Sequence, residues 1–209
     1  MDHQELQKLY SEKREQIQKR LEEFSEIKTK HEREIFAELC FCLLTPQSKA
    51  RNCWSSILAL KASGALYTGR PENIKQVLHK KVRFHNNKAK YIVETRKKVL
   101  ENGFDWKGFF EKHPKVMREW LVENVKGMGY KEASHFLRNI GFKELAILDR
   151  HILKNLIRCG AIDEIPKTLG KNQYLEIEDK FQKFSGKIGI SMDELDLLFW
   201  SLETGEVFK

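Results

Sequence analysis

Residues 119–152, EWLVENVKGMGYKEASHFLRNIGFKELAILDRHI, decide how the rest of the chain is read. Glu119 to Val125 reads as the end of one helix and Ala133 to Ile140 as the start of another, so Lys126-Gly127-Met128-Gly129-Tyr130 leaves room only for a tight hairpin. Gly127 and Gly129 permit the backbone such a turn requires. A hairpin of this kind aims unpaired N–H groups outward at a helix N-terminus, where the peptide dipoles favour an anion, so a phosphate fits there. It would grip a backbone and read no base. By itself the pattern equally describes an ordinary turn between helices.

Two further residues add chemistry. Lys131 falls in the first turn of the following helix, where the dipoles disfavour a cation, and a lysine in that setting has a reason to be a nucleophile. Asp149 stands just before the apolar-periodic run Ile152, Leu153, Leu156, Ile157, which is the position of a helix N-cap.

Gly127-Met128-Gly129-Tyr130-Lys131 followed by Asp149 resembles the helix-hairpin-helix DNA glycosylases, whose usual hairpin reads Leu-Pro-Gly-Val-Gly, then one residue, then the catalytic lysine. Lys126 stands here for the proline and Met128 for the valine, neither of which supplies chemistry. Leu43-Leu44-Thr45-Pro46-Gln47-Ser48 is similar to the Leu-Leu-Ser-x-Gln stretch of the same enzymes, so the resemblance spans most of the chain. It implies an all-α fold of two helical lobes with a helix-hairpin-helix motif and an active-site cleft between them. Residues 33–143, with the hairpin at 126–130, would form the central lobe; residues 1–32 and 144–209 would form the second from both chain ends.

Composition fits that reading without requiring it. The 209 residues are enough for a real core, and the net charge of +8 with a pI near 9.2 suits a polyanionic partner. The N-terminus is polar and no apolar run approaches the length of a membrane span, so an intracellular protein acting without a membrane is expected. A monomer is expected as well. Cys40, Cys42, Cys53 and Cys159 lack paired CxxC spacing and read as reduced thiols, three of them in apolar helical surroundings. Several relatives in the resembled family carry an iron–sulfur cluster on four cysteines near the C-terminus; Cys159 alone cannot hold one.

Along the chain, Gln4 to about Ile27 is an amphipathic helix, and Ile35 to Leu44 is a buried one ending before Pro46. Asn52 to Leu60 continues as helix, with Gly64, Gly69 and Pro71 punctuating the connection to the next one. Lys80 to Lys98 carries eight Lys or Arg against one acid, Glu94, and reads as a phosphate-facing or merely solvated surface. Within it, Arg83-Phe84-His85-Asn86-Asn87 reads as a loop. Phe84 there is open to two readings, a wedge between base steps or a core side chain. Phe104 to Phe110 reads as an aromatic connection, and Pro114 opens the helix entering the hairpin, with Val116, Met117, Trp120 and Leu121 on its core side. Lys171 to Phe184 is a further helix broken by Gly186 and Gly189. Ser191 with Glu194 makes a capping box for the last helix.

The resemblance assigns roles. Lys131 would attack C1′ of an extruded nucleotide, with Asp149 helping to deprotonate it and offsetting charge on the sugar; strand cleavage by β-elimination would follow from the Schiff base. Gly127 and Gly129 would contact the DNA backbone, Gln47 would fill the gap left by the base, and Arg83 and Phe84 would touch DNA beside it. A solvent-exposed amide is the other reading of Gln47. No cofactor or catalytic metal is needed, although the carbonyls of Glu123, Val125 and Met128 correspond to a monovalent-cation site of the family. A short chain ending in lysine after an aromatic helix looks most like the type 2 8-oxoguanine DNA glycosylase/lyases, which implies double-stranded DNA with an oxidised base as partner. Lys209 and Trp200 would then recognise the base; a frayed end and a core aromatic are their plainer readings. An endonuclease III-like enzyme for oxidised pyrimidines and a non-catalytic helix-hairpin-helix module that only holds DNA are the alternatives.

Overall fold

The ten-residue apolar stretch Ile35 to Leu44 is buried along its entire length, including Glu38. A run that is apolar nearly all round has no face to offer water, so other helices must surround it. In the computed structural model, which describes residues 1–209, the helices are α1 His3–Ile27, α2 Glu32–Leu44, α3 Ala50–Ala62, α4 Ala65–Thr68, α5 Pro71–Leu78, α6 His85–Arg96, α7 Trp106–Phe110, α8 Pro114–Asn124, α9 Tyr130–Asn139, α10 Arg150–Arg158, α11 Lys171–Ile188 and α12 Met192–Thr204. A π-helical turn at Lys97–Glu101 extends α6, and there is no strand, so the class is all-α. No helix is long and apolar enough to cross a membrane.

Two compact units emerge, Ile27–Phe136 and Met1–Glu26 together with Leu137–Lys209. The seams fall a few residues ahead of positions 33 and 144. In the first unit α2 is surrounded by α3, α6 and the π turn. Fully burying Phe36, Leu39, Phe41 and Leu43, each at most 1% exposed, stabilises the unit by about 1.5–3 kcal/mol per side chain. Phe104, Trp106, Phe109, Phe110 and Trp120 form an aromatic cluster with ring centroids 4.9–6.1 Å apart. Part of this stretch, expected as a connection, is helix α7, capped by Asp105, whose side chain accepts the Gly108 N–H.

In the second unit α12 packs on α10 and α11. Glu203 of α12 receives Lys154 at 2.7 Å and Arg158 at 3.4 Å from α10. The extended segment before α10 is pinned by α11: Ala146 N–H donates to Glu178 Oε1 at 2.9 Å, and Tyr174 Oη donates to the Ala146 carbonyl at 2.6 Å. Helix α1 is tied in by Gln7 Nε2 donating to the Ile188 carbonyl at 2.7 Å and Tyr10 Oη to Glu194 Oε1 at 2.5 Å.

Several local expectations are corrected. The segment around Gly64, Gly69 and Pro71 contains α4 and α5. The loop expected over residues 83–87 stops at Phe84, which adopts a left-handed conformation as N-cap, so that α6 already starts at His85. Helix α9 begins at Tyr130 rather than Ala133, because the Gly129 carbonyl accepts the Ala133 N–H at 2.9 Å. Gly186 lies inside α11, and the break falls at Gly189, whose φ of +71° favours glycine. Val116 is 53% exposed, whereas Arg118 occupies the core side of α8 at 1% exposure. Its guanidinium lies over the Tyr130 ring and donates to Ser134 Oγ at 3.2 Å, which locks α8 against α9.

Candidate active site

The link between α8 and α9 is built on Gly127. Its φ is +85°, and a Cβ there would meet the Tyr91 ring of α6 at 2.4 Å, so both backbone conformation and space call for glycine. Met128 N–H closes the turn on the Val125 carbonyl at 3.1 Å, and both side chains are buried. Gly129 precedes α9 as its N-cap; its N–H donates to Glu132 Oε2 at 3.2 Å, half of a capping box. The hairpin therefore offers a helix N-terminus beside an exposed glycine, an arrangement suited to an oxygen anion. The Glu123 and Met128 carbonyls accept no backbone N–H and that of Val125 accepts one, so lone pairs are present for a monovalent cation at the three positions.

Lys131, in the first turn of α9, is one-quarter exposed, and its Nζ lies 2.9 Å from Glu132 Oε1. Glu132 thus serves both hairpin and amine. Cys53 and Lys88, both buried, lie within electrostatic reach of the amine. Burial pushes the Cys53 thiol up to about 11, against the pull of Lys88 and Lys131. Burial pulls the Lys88 ammonium down to about 8, with Cys53 opposing and Lys131 assisting.

Gln47 and Phe84 are both exposed and both left-handed, at φ of 54° and 55°. Phe84 is 53% exposed, which removes the core reading, and the Arg83 guanidinium lies 5.4 Å from its ring centre. Lys88 and Arg96 belong to the basic run but are buried, at 4% and 6% exposure, so they do not contribute to a phosphate-facing surface. Sequence reasoning missed Lys88, Ser48, Glu132 and Tyr91. A signal for Lys88 exists in its spacing with Ile92, Thr95 and Val99, all buried on one side of the helix and its extension.

In the other unit, Asp149 Oδ1 accepts the backbone N–H of His151 at 2.8 Å and of Ile152 at 2.9 Å, making it the N-cap of α10. Trp200 is half-buried on α12 with its ring 6.1 Å from that of Phe208, and Lys209 follows, also half-buried. Lys131, Gln47, Arg83, Phe84, Gly127 and Gly129 thus belong to one unit, and Asp149, Trp200 and Lys209 to the other. None of the four cysteines is in a disulfide; Cys40, Cys42 and Cys53 are buried and Cys159 half-buried.

A glycine hairpin between two helices, followed by a lysine in the first helical turn, defines a helix-hairpin-helix protein with an amine close to a helix N-terminus. The family model for 8-oxoguanine DNA glycosylase matches residues 17–190. An 8-oxoguanine DNA glycosylase/AP lyase of Fusobacterium nucleatum is 50% identical, covering 98% of this chain and 96% of the relative. One from Methanocaldococcus jannaschii is 44% identical over 92% of this chain and 91% of the relative. Among solved structures, the Methanocaldococcus jannaschii 8-oxoguanine glycosylase/lyase in complex with a 15mer DNA containing 8-oxoguanine matches with a TM-score of 0.89 at 38% identity, covering 99% of each chain. The 8-oxoguanine DNA glycosylase of Thermotoga maritima matches with a TM-score of 0.85 at 35% identity, covering 99% of this chain and 98% of the other. The chain belongs to the 8-oxoguanine DNA glycosylase family.

Proposed function

We propose that this protein excises 8-oxoguanine from double-stranded DNA and cleaves the strand at the resulting abasic site, acting inside the cell as a monomer. The observation that carries the reading is membership of the family together with a lysine, Lys131, one residue past the Gly127–Gly129 hairpin and its following tyrosine.

Chemistry on a base within a duplex requires taking it out of the stack, which costs a few kcal/mol. The N–H groups around Gly127 and Gly129 would hold a phosphate, and a monovalent cation on the carbonyls of Glu123, Val125 and Met128 would add positive charge there. Gln47 would enter the gap, and Arg83 and Phe84 would brace the neighbouring step. Trp200 would stack on the extruded purine, and Lys209 beside it would help recognise the base. Lys131 Nζ, released from Glu132 and relieved of a proton, would attack C1′; the C1′–N9 bond breaks and the base departs with the bonding pair, taking up a proton. Opening of the sugar gives an iminium between Nζ and C1′. Loss of a C2′ proton then expels the 3′ phosphate, and water returns the free amine. The Asp149 carboxylate would take the lysine proton and offset the positive charge that develops on the sugar.

A panel of duplexes carrying 8-oxoguanine or an oxidised pyrimidine tests the substrate. Preferential nicking at 8-oxoguanine is expected; preference for the pyrimidine would assign the endonuclease III-like activity instead.

A further inference from the structure

The buried amine of Lys88 is satisfied entirely by the stretch that carries Gln47. Nζ donates to the Leu44 carbonyl at 2.8 Å, to the Pro46 carbonyl at 2.7 Å and to Ser48 Oγ at 3.2 Å. An ammonium has three N–H donors, and all three find acceptors on residues 44–48, the reason a cation can lie 4% exposed. The Leu44 carbonyl also accepts the Cys53 thiol at 3.2 Å.

Ser48 continues the connection. Its Oγ accepts the backbone N–H of Arg83 at 3.0 Å, so the 44–48 turn is hydrogen-bonded directly to the turn that ends in Phe84. Asn52 Nδ2 reaches the Lys81 carbonyl at 3.4 Å beside it. Of the non-glycine residues with positive φ, namely Gln47, Lys80, Phe84 and Glu144, all but Glu144 lie in these two turns. Left-handed backbone at a residue with a Cβ costs free energy and persists only where its surroundings over-determine it. Here the surroundings are Lys88 and Ser48.

We propose that Lys88 is a positioning residue which, with Ser48 as bridge, fixes the Gln47 turn and the Arg83–Phe84 turn as one rigid unit that probes the duplex. The inference rests on the proposed function, in which Gln47 and Phe84 enter DNA. Lys88 touches neither the lesion nor the sugar; it acts through the backbone of residues 44–48. The value of about 8 to which burial brings it leaves it mostly charged near neutrality, with all three donors in place.

Two double-mutant cycles test this, read as single-turnover excision from an 8-oxoguanine duplex and as fluorescence of a 2-aminopurine placed beside the lesion. Lys88→Met is expected to slow excision by about 10- to 100-fold, as misplacement of a contact group does, and to remove the fluorescence rise that reports unstacking. Combined with Gln47→Ala it should be no slower than the slower single variant, because both remove the same contact. Ser48→Ala combined with Phe84→Ala should behave likewise. This second cycle decides the matter if circular dichroism shows Lys88→Met to be unfolded. Multiplying effects in the folded cycles would overturn the proposal, as would a full fluorescence rise in a slow Lys88→Met protein. A Gln47→Ala protein as fast as wild type would overturn the reading of Gln47 and the inference with it. If Gln47→Ala is slow and a folded Lys88→Met is not, only the clamp fails.

Discussion

Asp149 Oδ1 stands 2.9 Å from the backbone nitrogen of Ile152 and caps α10 with the same oxygen that takes the His151 N–H at 2.8 Å. The carboxylate proposed for chemistry is therefore held by the helix it starts. Both cap bonds need only an acceptor oxygen, whereas a role at the sugar needs the charge. Asp149→Asn preserves the acceptor and should change stability by a few tenths of a kcal/mol at most, while Asp149→Ala should cost about 1 kcal/mol. Both should slow excision by about a hundredfold or more. Urea unfolding paired with single-turnover rates separates the two roles; an Asp149→Asn protein that keeps its rate would leave Asp149 as a cap alone.

The two hairpin glycines should differ. At Gly127, φ is +85° and an added Cβ would lie 2.4 Å from Tyr91 Cδ2, so Gly127→Ala combines a left-handed alanine with a clash against a packed ring. A loss of at least about 2 kcal/mol is expected. At Gly129 the nearest atom is the end of the flexible Glu132 side chain at 3.1 Å. Gly129→Ala should cost only about 1 kcal/mol, the penalty for alanine at an N-cap. Its larger effect should be on DNA affinity, measured by fluorescence anisotropy, because the methyl group stands where a phosphate would approach. Equal destabilisation by the two substitutions would contradict the hairpin geometry.

Lys88 gives stability a pH dependence of defined sign. Its folded-state value is lowered from 10.5 to about 8, so between these values the unfolded chain holds a proton that the folded chain sheds. Its contribution to stability is least below about pH 8 and grows as pH rises through that window. The groups facing it are Cys53, Lys131, Glu132 and Arg83. Cys53, raised to about 11, and Tyr10, raised to about 12, act with the opposite sign at higher pH. The difference in unfolding free energy between wild type and Lys88→Met isolates the lysine. Wild type should gain on the variant between about pH 7 and about pH 9.5; a flat or falling difference would mean that the amine titrates normally.

Much of this fold is legible in the chain because its helices announce themselves locally. The apolar run ending at Leu44, Pro114 at a helix start, and the capping box of Ser191 with Glu194 each depend on neighbours within a few residues. What escapes reading is decided by contacts remote in sequence. Lys88 counts as one more cation in a basic run until its amine is found closing on the Leu44 carbonyl, 44 residues away. Tyr91, which leaves Gly127 no room for a side chain, is likewise distant from it in sequence. Phe84 shifts the start of α6 by adopting a backbone conformation that an aromatic residue seldom takes. Gly186 shows the converse: surrounding packing keeps helical a residue whose own propensity is to break.

The central claim is covalent: an amine of this chain becomes joined to C1′ of the damaged nucleotide. Borohydride reduction of the protein on a duplex containing 8-oxoguanine measures it directly, since reduction converts the iminium into a stable protein–DNA adduct. Wild type should yield the adduct, and Lys131→Gln should yield none while still binding the duplex. Absence of an adduct from the wild-type protein, or its persistence at wild-type yield in Lys131→Gln, would contradict the assignment of Lys131 as nucleophile.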